Sequence, residues 1–165
     1  MPFTPFHLGP ALSLGLPLRR HFHAPTFILA NVVVDLEPLV MLVLGRGPLH
    51  GFFHTLLGAN LLGLALALLM YMAREHLDPF FTDIRLIEGG GELGLRSYLL
   101  ASSSGTSLHV LLDATMYSDV KPLWPSPLNP IYDPGSLAGP VYAFCGISLL
   151  AGLIMYVLLV GRKTD

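Results

Sequence analysis

The sequence predicts an all-α fold, a polytopic bundle of membrane helices, and three observations carry that expectation. Mean hydropathy is +0.64 and only 12% of residues are charged, about half the share of an ordinary soluble domain. Two runs, Phe52–Ala73 and Gly139–Val160, contain no Asp, Glu, Lys or Arg, and each matches the roughly 20 apolar residues that a bilayer crossing requires. Lys and Arg are confined to the connections and the C-terminal tail. A chain of 165 residues is read as a single integral membrane domain, 1–165. A net charge of −2 without a basic run offers no field for nucleic acid, so no nucleic-acid partner is expected. Cys145 is the only cysteine, which excludes an intrachain disulfide.

Five membrane segments follow in order, at about 5–18, 26–44, 52–73, 97–117 and 139–160. In the first, Thr4 suits the cap position with Pro5 at the first helical position, and Pro10 lies inside. It reaches only about 21 Å at 1.5 Å per residue, so it is tilted, re-entrant or partly buried. Because MPFTPFHLGP has no basic leader region, this helix is expected to be retained. The second segment contains Asp35-Leu36-Glu37-Pro38, and the proline predicts a break at Glu37. The third and fifth are the two uncharged runs. The fourth opens apolar and then carries SSSGTS, His109 and Asp113.

The connections differ in character. Arg19-Arg20-His21-Phe22-His23 is a short basic turn, and Arg46-Gly47-Pro48 a tight one. Arg74–Arg96 is the most charged stretch, with Asp78-Pro79 and Gly89-Gly90-Gly91 as breakers. Ala114–Leu137 holds Pro122, Pro125, Pro127, Pro130 and Pro134, which predicts a rigid, irregular cover instead of a helix. If all five segments cross, Arg19, Arg20, Arg74, Arg85, Arg96, Arg162 and Lys163 share one side, and Arg46 and Lys121 the other. The richer side is cytoplasmic by the positive-inside rule. That places the C-terminus in the cytoplasm and the N-terminus outside.

On that topology the unusual polar residues gather at the non-cytoplasmic face. His7 begins the first segment, His50 and His54 begin the third, and His109 and Asp113 close the fourth. Asp35, Glu37 and, in the cover, Asp119 lie within reach of the same side. The i,i+4 spacings His50/His54 and His109/Asp113 each place a pair on one helical face. Behind His109 the same face continues through Thr106, Gly105 and Ser102, small residues that permit close helix packing. Ionisable groups at membrane depth are costly and mark function by default. Imidazoles with carboxylates suit zinc, with manganese or iron as alternatives, and a dication would neutralise the buried acids. Singly, His7 and His50 also read as interfacial histidines. Glu37 reads as a ligand, a base or the partner of a ligand, and Asp119 as a lid residue. His21, His23 and His76 fall on the opposite side and are expected to be solvated. GGGELG has no preceding strand and is a poor phosphate loop. SSSGTS lacks the elbow of a serine nucleophile and reads as packing.

The series FHLG (Phe6–Gly9), NVVVDLEP (Asn31–Pro38), LHGFFHT (Leu49–Thr55), HVLLD (His109–Asp113) and LWP (Leu123–Pro125) resembles the YdjM-like family of inner-membrane metal-dependent hydrolases. The family pattern runs N-terminal His, Asp-x-Asp/Glu, His-Arg-Gly-x-x-His, His-x-x-x-Asp. Carried over, it implicates His7, Asp35, Glu37, His50, His54, His109 and Asp113. The chain departs at Gly51-Phe52, where the family has Arg-Gly, and so lacks an arginine there to bind phosphate. The ligand order is also similar to that of zinc-dependent phospholipase C, a helical phosphoesterase.

The expectation is therefore a membrane-embedded metal-dependent hydrolase, multi-pass in the inner membrane, holding one or two zinc-type ions. Asp35, His54, His109 and Asp113 would hold the first ion. His7 with a bridging Asp113 would hold a second, and His50 or Glu37 would complete either. Glu37 or Asp119 would accept the proton from a metal-activated water. An amphiphilic substrate such as a lipid phosphoester, reached laterally from the bilayer, fits the placement. A metal or proton transporter and a non-catalytic, metal-stabilised scaffold use the same ligands.

Overall fold

The computed structural model describes residues 5–88 and 93–161, and every regular element among them is helical. A 3₁₀ turn at Pro5–His7 leads into α1 (Leu8–Leu18), followed by α2 (Ala24–Val33), α3 (Leu36–Val43), a 3₁₀ turn at Phe52–His54, α4 (Leu56–Met72), α5 (Arg74–Asp83), α6 (Leu95–Met116) and α7 (Pro134–Gly161). Thr4, the Gly89-Gly90-Gly91 breaker and GGGELG in part, Arg162 and Lys163 lie outside the described residues.

By length and composition, Ala24–Val43 and Pro134–Gly161 can each cross a membrane. Leu56–Met72 with Arg74–Asp83 makes a third candidate if that pair, bent by 86°, is one span. This is consistent with a membrane protein. Helix α6 has 22 residues, but its serines, His109 and Asp113 dilute its hydropathy, and α1 is a shorter apolar helix of 11 residues. The outer faces are apolar as lipid demands: Met72 is 78% exposed, Ile147 69% and Val157 67%.

Helix α6 is the axis of the bundle, with α4 packed along one flank and α2 along another, while α1 joins α2 to α7. Close approach is what the small residues permit. A Cβ on Gly105 would lie 2.7 Å from the Phe27 carbonyl oxygen and 2.8 Å from Ala30 Cβ, so glycine alone lets α6 touch the α2 backbone. Ser102 donates from Oγ to the Gly63 carbonyl of α4 at 2.7 Å, and Thr106 packs on the same glycine. The stripe read from the sequence is therefore the seam on which both neighbours sit.

Two expectations about breaks need correction. The second segment interrupts at Val34–Asp35, two to three residues before Glu37. Pro38 falls in the first turn of α3, where its missing N–H would have been unpaired anyway, so it starts a helix instead of ending one. Asp78-Pro79 does not end α5, which continues through Pro79 to Asp83. Pro79 is exposed, so solvent can serve the carbonyl that lost its donor. Of the Pro-rich stretch, residues 114–116 still belong to α6 and Pro134 already opens α7, while Tyr117 to Asp133 forms an irregular cover. It is tied down by Asn129 Nδ2 donating to the Ala114 carbonyl at 2.8 Å, and by the Leu56 and Asp133 amides donating to the Pro122 and Thr115 carbonyls.

Candidate metal centre

The break in α2 builds the first part of the site. A helix end leaves carbonyls without amide partners. Here the Asp35 amide turns back to the Val32 carbonyl at 3.0 Å, and the Asn31 carbonyl accepts instead from His109 Nδ1 of α6 at 2.7 Å. Asp35 occupies the cap position of α3 without making a side-chain cap bond. Its carboxylate is buried, with Oδ1 3.6 Å from His109 Nε2.

Helix α3 then ends in a left-handed Gly45 (φ 61°). The Arg46 amide closes the turn on the Met41 carbonyl at 2.9 Å, a Schellman-type stop that sends the chain back across Glu37. One Glu37 oxygen accepts from the Gly51 amide at 3.0 Å and the other from the Phe53 amide at 3.1 Å. Glu37 Oε2 also accepts from His54 Nδ1 at 2.9 Å. His50 and His54 thus do not share an α-helical face as the spacing suggested. His50 precedes and His54 closes a 3₁₀ turn that Glu37 holds, because α4 begins only at Leu56. His50 is fixed in the same manner, its Nδ1 donating to Asp119 Oδ1 at 2.9 Å and its backbone amide to Asp119 Oδ2 at 3.2 Å. Partial burial raises the Asp119 carboxyl, but these His50 bonds outweigh it and hold the group below its ordinary value.

Asp113 sits between these parts, one i,i+4 step from His109. Its Oδ1 lies 3.3 Å from His7 Nε2, and its Oδ2 lies 3.3 Å from His109 Nε2 and 3.6 Å from His54 Nε2. The donors fall into two groups that could each hold a metal ion: His7, Asp35, His109 and Asp113, and His50, His54 and Asp113, with ligand atoms within 4.8 Å of one another. All six residues are buried. The partition differs from the expected one. His54 pairs with His50, and His7 joins Asp35 and His109, while Asp113 is the shared member. Glu37 and Asp119 belong to neither group; each stands behind a histidine of the second.

The tautomers give the arrangement its chemical sense. A carbonyl or carboxylate oxygen only accepts, so Nδ1 carries the hydrogen in His109, His54 and His50. In the neutral ring each Nε2 is then a lone pair aimed inward. His50 Nε2, His54 Nε2, His109 Nε2 and Asp35 Oδ1 are all buried without a hydrogen-bond partner among the described residues. Lone pairs facing a carboxylate repel unless a cation lies between them. Buried polar groups are nearly always satisfied, and a histidine anchored at one nitrogen by a carboxylate or carbonyl is the usual support of a metal ligand.

The opposite end of the bundle holds a separate polar cluster. His23, expected to be solvated, is fully buried. Its Nδ1 accepts from the Thr26 amide at 3.2 Å as the cap of α2, its Nε2 faces Asp78 at 3.2 Å, and its ring stacks on Tyr98 at 4.0 Å. Tyr98 donates to the other Asp78 oxygen at 2.6 Å. The reason is the bend after α4, which folds α5 back over the α2 terminus; nothing local to His23 announces it. His21 and His76 are exposed, as expected. Glu88 accepts from Arg20 at 2.6 Å, which holds its carboxyl below the ordinary value.

No protein-family model, curated protein or solved structure matches this chain.

Proposed function

We propose that this protein is a membrane-embedded, metal-dependent hydrolase acting on a phosphoester of an amphiphile, with two divalent ions, zinc foremost. The observation behind this reading is the set of buried, unpartnered Nε2 atoms on His50, His54 and His109, each ring anchored by an acceptor at Nδ1. The charges agree: Asp35 and Asp113 among the donors, with Glu37 and Asp119 behind them, match two dications at a depth where uncompensated charge is costly. Manganese or iron would suit the same donors. The resemblance to YdjM-like hydrolases, the five-segment topology and an inner-membrane location with a cytoplasmic C-terminus belong to this proposal.

The two groups have unequal roles. His7, Asp35, His109 and Asp113 are four donors, enough to close a tetrahedral site, whereas His50, His54 and Asp113 are three, which leaves a position for substrate. A divalent ion supplies Lewis acidity and a water whose pKa falls toward about 7. Glu37 fixes the His54 ring and the loop beneath it. Both oxygens of Glu37 and both of Asp119 accept hydrogen bonds, so each carboxylate positions a histidine. Of the two, Asp119 is the one assigned the base role, because it is about a third exposed and borders a surface cleft.

A transport reading draws on one observation, the His23–Asp78–Tyr98 cluster at the far end of the same α6 face. Between the two clusters, however, Ser102 and Thr106 donate to backbone carbonyls. Among the described residues, no continuous hydrogen-bonded chain links the ends. The hydrolase reading is tested with detergent-purified protein on a panel of soluble and lipid phosphoesters. Turnover is expected, lost to chelator and restored by zinc or manganese. Tight metal binding with no turnover of phosphate, carboxyl-ester or amide substrates overturns it in favour of a scaffold or transporter.

A further inference from the structure

A cleft of about 310 Å³ opens beside the three-donor group, bordered by His50, Asp119, Thr55, Lys121, Phe52 and Trp124. Its volume is at the lower edge of small-molecule sites. The two walls differ in chemistry. Phe52 and Trp124 meet edge to face at 5.3 Å, yet remain 39% and 46% exposed, an aromatic pair of the kind found where apolar and wet surroundings meet. The same lining includes His50, whose Nε2 is unpartnered inside the site, and Lys121. Asp119 is the one acid in the lining, and both of its oxygens are engaged by His50. Lys121 is exposed and makes no ion pair or hydrogen bond through its side chain among the described residues.

From this juxtaposition we infer that the cleft is the substrate entry subsite: Lys121 receives a phosphate group while Phe52 and Trp124 receive the apolar tail of the same molecule. The inference rests on the hydrolase reading for its direction, since His50 links the cleft to the donor groups. A phosphate suits the placement because it has oxygens to spare. One can meet the ammonium at the mouth while others turn toward the ions behind His50. A soluble phosphate would need no aromatic wall, so the subsite favours an amphiphile approaching from the membrane surface.

Trp124 is the only tryptophan in the chain, so its fluorescence reports on the cleft without labelling. The experiment titrates the full-length protein in detergent, below the micelle concentration of the ligands, with dihexanoyl phosphatidic acid, inorganic phosphate and dihexanoylglycerol. The metal content of each sample is measured by elemental analysis. Phosphatidic acid is expected to shift the Trp124 emission saturably. Lys121→Ala should weaken that response about tenfold or more, as loss of a charge-assisted contact does, with metal content unchanged and Lys121→Arg restoring it. Phe52→Ala should weaken phosphatidic acid and leave inorganic phosphate unaffected. Binding of phosphatidic acid that is indifferent to Lys121→Ala overturns the subsite, even with two ions present. Inorganic phosphate binding as tightly as the lipid overturns the amphiphile half of the inference. A Lys121-dependent response in a protein that carries no metal supports the subsite and overturns the two-ion reading instead, so the two failures are distinguishable.

Discussion

At the scale of single residues, His54 and Glu37 show how a site is tuned from behind. The His54 ring is buried, and the hydrogen bond from its Nδ1 to Glu37 decides which nitrogen faces Asp113. Glu37→Gln keeps the shape but loses the charge and offers an amide in place of one acceptor. Metal affinity at the three-donor group should fall by about 10- to 100-fold, as removal of such anchoring partners does. Competition with a chelator of known affinity measures it; unchanged affinity would mean that Glu37 does not orient His54. Removing a donor is harsher. His54→Ala, His109→Ala and Asp113→Ala should strip metal, and Asp113→Ala should empty both groups because it is their shared member. His7→Ala should cost one ion of two. His21→Ala and His76→Ala, exposed on other parts of the fold, should leave metal content at the wild-type value by elemental analysis. Full retention in His109→Ala refutes the centre. His23→Ala is a different case. It removes the α2 cap and a buried partner of Asp78 and Tyr98, so it should lower thermal stability by about 1 kcal/mol or more while metal content holds.

At the scale of elements, the contact between α2 and α6 is what brings the Asn31 carbonyl within reach of His109, and Gly105 sets that contact. Gly105→Leu forces a side chain against the Phe27 carbonyl and Ala30. The two helices must separate, at a cost of about 1–3 kcal/mol as overpacking usually exacts, and the His109 anchor should lengthen. Both a lower unfolding temperature and a loss of metal are therefore expected. Gly146→Leu in α7, where an added Cβ meets nothing within 4 Å, provides the control and should change neither. If the Gly105 variant loses stability but keeps both ions, the Asn31–His109 bond is not needed to hold the donor groups. The close approach was visible in the sequence as small residues at helical spacing. Which helix would use it was not, since Gly63 and Gly105 present equally small faces and only the packed structure assigns them partners.

At the scale of the whole molecule, the donor groups, the Pro-rich cover and Lys121 lie at one end of the bundle, and Arg19, Arg20, Glu88 and the His23 cluster at the other. If the metal end faces outward, single cysteines at Arg46 or Ser126 in a Cys145→Ser background should react with an impermeant thiol reagent on intact cells. Cysteines at Gly90 or Thr164 should be protected until the membrane is opened. The reverse pattern inverts the orientation and places the centre in the cytoplasm. Cys145 is buried against α1, so its removal is needed only to clear background labelling.

Hydropathy and side-chain chemistry are local and additive along a chain, which is why the sequence alone determined that this protein is helical and apolar, and which histidines and acids could form a centre. The Pro-rich cover and the small-residue seam belong to the same class of legible features. A bridging Asp113 was expected from the sequence. Only the tertiary structure decided how the other donors divide, that Glu37 and Asp119 stand behind His54 and His50, and that His23 is buried. Those outcomes depend on where helix ends from distant parts of the chain come to rest. The Asn31 carbonyl became free for His109 because α2 stops at Val33, and His23 lost its solvent because α5 folds back across it. Neither event leaves a trace in the residues nearest to it, since the partner that completes each lies more than fifty positions away.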